Sequence, residues 1–281
     1  RRQQALADRP DAAFDGEPLA FFADLATAQP TEYAAFIDTG RFAVCSISPE
    51  LFFRLDGEQL SAKPMKGTAA RGRTLAEDEA RIAELRRSEK NRAENLMIVD
   101  MLRNDLGRVA RVGSVTVPRL FEVERYPTLL QMTSTVAART RASVAEILAS
   151  LFPCASITGA PKVRSMEIIR ELEPQPRGVY TGAIGFIGPE RHARFNVAIR
   201  TALIDRKRRQ VTYGVGGGLV WDSDAGGEYQ ECLLKTRVLT ERRPAFQLLE
   251  SLLWEPDSGY FLLAAHLARL AAQPIVRHMY F

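Results

Sequence analysis

The sequence predicts an α+β fold in which large antiparallel β-sheets pack as a sandwich with helices outside. Short stretches of alternating apolar residues, broken at close intervals by turn residues, suit antiparallel meanders. Between groups of them lie stretches whose apolar residues step by threes and fours, as one face of a helix does. The composition, 46% hydrophobic and 26% charged over 281 residues, supplies enough apolar surface for a sizeable core, and no internal repeat is visible.

Taken in order, Glu17 to Ala28 has apolar residues at helical spacing. Tyr33 to Ile37, Phe42 to Ile47, Leu51 to Leu55 and Gln59 to Ala62 read as strands, separated by Thr39-Gly40, Ser48-Pro49 and Asp56-Gly57. Leu75 to Ala110 reads as one long helix that stops at Gly113, because Ile82, Leu85, Leu96, Val99, Leu102 and Leu106 keep one apolar face. Strands are expected at Ser114 to Val117, Leu120 to Val123 and Leu129 to Ala138, then helices at Ser143 to Leu151 and Pro161 to Leu172, the second with proline in its first turn. A β-rich block follows: Val179 to Ile187, Ala193 to Ile204, Gln210 to Val215 and Gly218 to Trp221. A helix from Ala225 to about Leu239 closes it. The first dozen residues carry no clear element.

No run approaches the roughly 18 to 20 apolar residues of a membrane helix, and the Arg-rich N-terminus lacks the apolar core of a secretion signal. Cys45, Cys154 and Cys232 are odd in number, widely spaced and outside any CxxC, which argues against a disulfide framework or structural zinc and suits a reducing cytoplasm. Net charge is +4, with arginine the dominant cation. The densest run, Arg206-Lys207-Arg208-Arg209, has no interleaved aromatics and reads as a solvated hairpin tip, so neither nucleic acid nor membrane is expected as a partner. A mildly positive field suits a small anionic substrate.

Five clusters could carry chemistry. Lys66, in Pro64-Met65-Lys66-Gly67-Thr68, sits in a short connection where Gly67 permits close approach; a catalytic amine there needs a lowered pKa. Glu94 precedes Asp105 by three helical turns, placing both carboxylates on one side. Glu228, Glu231 and Lys235 share a helical face behind the glycine-rich stretch from Gly214 to Gly218, whose free N–H groups could bind an anion; helix carboxylates beside such a pocket suit Mg²⁺. Ser156 to Lys162 leads into a helix N-terminus able to receive an anion. Arg200, expected on a strand opposite in phase to Val197 and Ile199, could clamp a carboxylate. Each alone has an ordinary structural reading, as a surface pair, a polar stripe or a turn lysine.

Together, SPELF, KPMKGTAARG, AENLMIVDMLRNDLGRV, SITGAPKVRSMEII, YTGAIGF, FNVAIRTAL, YGVGGGLVWDSD and EYQECLLK, in that order from about residue 17 to 240, resemble the chorismate-utilising enzymes. The resemblance implies the chorismate-binding fold, chorismate as substrate and Mg²⁺ over its ring carboxylate. It assigns Glu94 and Glu231 as metal ligands with Glu228 close by, and Arg200, Tyr180 and the amides of Gly216 and Gly218 to the enolpyruvyl carboxylate. Lys235, Thr158 and Thr68 are assigned to fixing the substrate. Asn91 stands where relatives often carry an acid, which leaves its role open. Lys66 points to the branch that makes 4-amino-4-deoxychorismate for p-aminobenzoate and folate synthesis. There Lys66 is implied as a nucleophile on ring C2, with Glu50 as a desolvated general acid. Gln131, where anthranilate synthases place a histidine, fits the same branch; anthranilate or isochorismate synthesis is the alternative. Ammonia is expected from a separate glutaminase subunit.

The domain expectation is a synthase domain over residues 1–240 that lacks its usual N-terminal part, and a linker over 241–245. Residues 246–281 then form the truncated start of a further domain. That tail resembles the opening of a class-IV aminotransferase-type lyase that uses PLP, whose cofactor lysine would lie beyond residue 281, so no lyase activity is expected.

Overall fold

The computed structural model describes residues 3–8, 11–72, 74–126, 129–219, 223–236, 239 and 251–272. The chain begins with β1 (Gln3–Asp8), β2 (Asp11–Ala13), α1 (Pro18–Ala28), β3 (Tyr33–Asp38), β4 (Phe42–Ser48), β5 (Leu51–Asp56), β6 (Gln59–Lys63) and β7 (Met65–Ala70). Then come α2 (Leu75–Arg87), α3 (Glu89–Gly107), β8 (Thr116–Arg125), β9 (Leu129–Arg139), α4 (Val144–Leu151), β10 (Gly159–Ala160) and α5 (Lys162–Leu172). The remainder is β11 (Ala183–Gly188), β12 (His192–Val197), β13 (Thr201–Asp205), β14 (Gln210–Tyr213), β15 (Val215–Leu219), α6 (Ala225–Thr236), β16 (Trp254–Glu255), β17 (Gly259–Tyr260) and α7 (Leu263–Ala272).

Two large antiparallel sheets dominate. One has seven strands, with β11-β12-β5-β6-β9-β7 in order and β8 on β9; the other has five, in the order β2-β14-β13-β4-β3. The two are sewn together by bent strands. β4 and β13 pair in the five-stranded sheet while their continuations, β5 and β12, pair in the seven-stranded one. The crossings at residues 49–50 and 198–200 therefore lie side by side. They are locked by backbone bonds from Val197 N to Glu50 O (3.1 Å) and from Ile47 N to Arg200 O (3.0 Å). Small polar residues make the bends possible. Ser48 Oγ donates to Val197 O (2.6 Å), and Ser46 Oγ is contacted by Asn196 Nδ2 (3.3 Å) and Thr201 Oγ1 (2.9 Å). Strands that switch sheets through a bend are a general way to build such corners.

Each sheet has its own core. In the seven-stranded sheet Phe52, Phe53, Leu55, Leu60, Val136 and Val197 pack against Ile98, Val99, Leu102 and Leu106 of α3 and Ile147 and Leu151 of α4. Leu25 of α1 covers Cys45, Ile47, Ala202 and Ile204 of the five-stranded sheet. Val44, Ile184 and Ala198 join the two sheets. The helices start where capping chemistry allows. Ser143 and Glu146 form a reciprocal capping box at α4, and Thr74 accepts from Glu77 N at α2.

Several expectations are corrected. The two strands expected at Ser114 to Val117 and Leu120 to Val123 are one, β8. The long helix from Leu75 is two, because Ser88 leaves helical geometry (ψ 110°) to close α2 and accept from Asn91 N at the start of α3, which ends by Gly107. The strand from Ala193 to Ile204 is cut at 198–200 by the sheet crossing. The expected turn around Lys66 is strand β7; Gly216 and Gly217, expected between two strands, lie within the single strand β15, which also takes in Gly218 from the strand expected to start there; and the opening residues, expected to carry no clear element, form β1 paired with β15. The last helix is described to Thr236. The basic run forms the β13–β14 turn, with Arg206 on Asp38, Arg208 on Asp205 and Arg209 on Asp15. The linker at 241–245 lies outside the described residues. Of the tail, β16, β17 and α7 are described.

Candidate active site

Lys66 stands on a β-bulge. Met65 pairs with Thr133 and Thr68 with Gln131, so three steps along β7 oppose two along β9. Such an extra residue breaks the ladder and re-aims the side chain. Gly67 makes it possible with φ +91°, and a Cβ there would meet Asn91 Cβ at 3.1 Å. Among the described residues no hydrogen bond or ion pair holds the Lys66 ammonium. Burial pushes it below the ordinary lysine value, helped by Lys235 and opposed by Glu50, Glu94 and Glu231. Those five groups thus converge on one space.

Glu50 lies at the first sheet crossing, 3% exposed, and its Oε1 has no hydrogen-bond partner among the described residues. Desolvation raises its pKa to about 7, against the opposing pull of the Ser156 hydroxyl, Lys66, the Met65 backbone N–H and Arg200. Arg200 lies at the second crossing, with φ +48°, a left-handed conformation uncommon outside glycine. It is therefore in a bend rather than on the expected strand, and its phase relative to Val197 and Ile199 does not follow strand alternation. Burial lowers its pKa, while Tyr213, Tyr126 and Glu50 favour its charge. Among the described residues no carboxylate pairs with its guanidinium, so a fixed cation is left for an anionic ligand.

Tyr180 packs its ring on Gly214, where a Cβ would fall 2.2 Å from Tyr180 Cγ. Behind it β15 is an edge strand, with β1 on one side alone among the described residues. Alternate N–H groups on such an edge have no strand partner. Lys235 Nζ donates to Gly216 O (2.8 Å) on this strand and pairs with Glu231 Oε1 (2.7 Å). Glu228 accepts from Ser223 Oγ (2.6 Å), and a Cβ on Gly217 would meet its Oε2 at 2.7 Å.

The donor set of Glu94, Glu228 and Glu231 is all oxygen, which fits a hard cation. Among the described residues, however, no three acidic, His or Cys side chains are gathered closely enough to hold a metal. Glu231 is held by Lys235, so seating an ion there requires that ammonium to withdraw.

Several expectations are redistributed. Asp105, 4% exposed, pairs with Lys162 Nζ (2.6 Å), so it braces α3 against α5 and takes Lys162 away from any anion at that helix start. Thr158 is 2% exposed and gives its hydroxyl to Cys154 O (3.1 Å). Thr68 donates to Gln131 Oε1 (3.0 Å). Ser156, Tyr126 and Tyr213 went unmarked in the sequence as neighbours of Glu50 and Arg200; only Ser156 had a signal, its place in SITGAPK.

Residues 2–241 match the family described as chorismate binding enzyme, and the chain belongs to that family. It is 44% identical over 237 residues to aminodeoxychorismate synthase of Streptomyces griseus, an alignment covering 83% of this chain and 32% of the relative. Aminodeoxychorismate synthase component 1 of Escherichia coli (strain K12) is 41% identical over 242 residues, covering 85% and 53%. The crystal structure of anthranilate synthase component I from Streptococcus pneumoniae superposes with TM-score 0.78 at 33% identity, over 85% of this chain and 53% of that one. The chain spans from about a third to about half the length of these relatives.

Proposed function

We propose that this chain converts chorismate and ammonia into 4-amino-4-deoxychorismate, the precursor of p-aminobenzoate in folate synthesis. One observation carries the reading: an amine with no ion-pair partner among the described residues, its pKa lowered by burial, faces a buried carboxyl whose pKa is raised to about 7. That pairing suits a nucleophile and an acid that act in one step. The names of the relatives at 41% and 44% identity support the same product.

Arg200, with Tyr180 and the Gly216 and Gly218 amides, holds the enolpyruvyl carboxylate, and Lys235 the remaining polar groups. The Lys66 Nζ lone pair attacks ring C2. The two ring double bonds shift, the C4–O bond breaks, and Glu50 gives its proton so that the hydroxyl leaves as water. Ammonia then adds at C4, the double bonds return, and the C2–N bond breaks to release Lys66. The ammonium formed at C4 gives up a proton, which Glu50 recovers. Covalent attachment divides one difficult displacement into two easier ones. Glu94, Glu231 and Glu228 would hold Mg²⁺ once drawn closer together than they stand here and once Lys235 leaves Glu231, and the ion would supply charge neutralisation at the ring carboxylate. Ammonia is assigned to a separate glutaminase subunit, in keeping with the "component 1" in one relative's name.

The test is product analysis with chorismate, Mg²⁺ and ammonium, beside mass spectrometry without ammonia. 4-Amino-4-deoxychorismate and a Lys66-linked adduct are expected, both lost in Lys66→Ala and neither formed in the presence of excess chelator. Anthranilate or isochorismate as the product would overturn the assignment.

A further inference from the structure

The bulge that aims Lys66 is not held by the strand ladder, because the ladder is interrupted there. A side chain of the neighbouring strand holds it instead. Gln131 on β9 is 6% exposed; its Nε2 donates to Gly67 O (2.8 Å), and its Oε1 accepts from Thr68 Oγ1 (3.0 Å). One carboxamide thus grips both residues that follow Lys66, and it satisfies a carbonyl at the point where the ladder is broken. Gly67 also lies close to Asn91, where a Cβ would crowd it, and Asn91 is itself fixed by Nδ2 donating to Ser88 Oγ (2.9 Å).

We propose that Gln131 is the positioning residue for Lys66. Its carboxamide fixes the Lys66–Gly67 bulge and so sets the line along which the amine meets the substrate ring. The proposal rests on the reading of Lys66 as nucleophile. It also gives the residue at position 131 a mechanical part in the chemistry of this site: a side chain that could not both donate to Gly67 O and accept from Thr68 would release the bulge.

The experiment compares the purified protein with Gln131→Met, which keeps the volume and removes both hydrogen bonds. Each is mixed with chorismate and Mg²⁺ without ammonia, and the rate constant for the Lys66 adduct is followed by rapid quench and intact mass; chorismate affinity is measured by equilibrium dialysis. The adduct rate constant should fall about 10- to 100-fold, as small misplacements of reacting groups do, with affinity unchanged within roughly threefold. A partly unfolded preparation lowers the amplitude and not the rate constant, so loss of fold cannot imitate the result. Gln131→Asn, which keeps the amide but retracts it, should show a smaller fall in the same direction. Equal rate constants in native protein and Gln131→Met overturn the positioning role while leaving Lys66 as nucleophile. If the native protein forms product without any Lys66 adduct, the reading beneath it fails as well.

Discussion

Glu50 is an acid made by burial. Free in an unfolded chain its carboxyl titrates near 4.5, and in the fold desolvation moves it to about 7, because among the described residues no donor reaches Oε1, and the Ser156 hydroxyl and the nearby cations compensate only in part. A general acid must carry its proton, so turnover should fall as pH rises through about 7. Glu50→Gln should abolish that limb of the pH–rate profile and lower kcat by roughly 10²- to 10⁴-fold. Stability gives a second readout. Between about 4.5 and 7 the unfolded carboxyl has ionised while the folded one still holds its proton, so native stability declines with rising pH across that window and levels off above it. Glutamine carries no such penalty. Glu50→Gln should leave the denaturant midpoint unchanged at pH 4 and raise stability by roughly 3 kcal/mol at pH 8.

At the scale of elements, the site depends on places where strands depart from regularity. A bulge aims Lys66, two sheet crossings carry Glu50 and Arg200, and the absence of a side chain at Gly214 lets the Tyr180 ring lie on the backbone leading into β15. Gly214→Ala drives a methyl into that ring at 2.2 Å. We expect it to cost about 1 to 3 kcal/mol in stability, the usual range for overpacking, and to raise KM for chorismate more than it lowers kcat, because the proposed role of Tyr180 is to hold the substrate carboxylate and not to act at the reacting carbons. Steady-state kinetics beside a thermal melt separates the two effects. The N-terminus of α4 offers a control: Ser143→Ala breaks a capping box and should cost about 1 kcal/mol with kinetics unchanged.

Across the whole molecule, the two sheets are neither separate domains nor one continuous surface. They share bent strands, and the core of the seven-stranded sheet therefore supports both crossings. Phe53, fully buried, stacks on Phe195 with ring centroids 5.0 Å apart, tying β5 to β12 just beyond Glu50. Phe53→Ala should destabilise the protein by roughly 3 to 5 kcal/mol. At temperatures where the variant is still folded, the adduct rate at Lys66 should also drop, since the crossing holding Glu50 loses its backing. A melt shifted without any change in that rate would show that the crossings are held independently of this core.

The sequence by itself determined most elements and the identity of the chemistry-bearing groups. Alternation placed β3 to β6 and β9, helical spacing placed α1, α4 and α5, the last with a proline in its first turn, and the order of the motifs pointed to the family. Those signals are local, so they survive in a one-dimensional reading. The bulge at Lys66, the bend at Arg200 and the strand formed by the glycine run came from tertiary structure alone. Each is a backbone geometry decided by which distant strand lies alongside, whereas the break at Ser88 is local capping hidden in an apolar spacing that runs on across it. Charge state follows the same division: a glutamate is legible as a letter, but whether it is an acid near pH 7 depends on how much water the assembled fold removes from it.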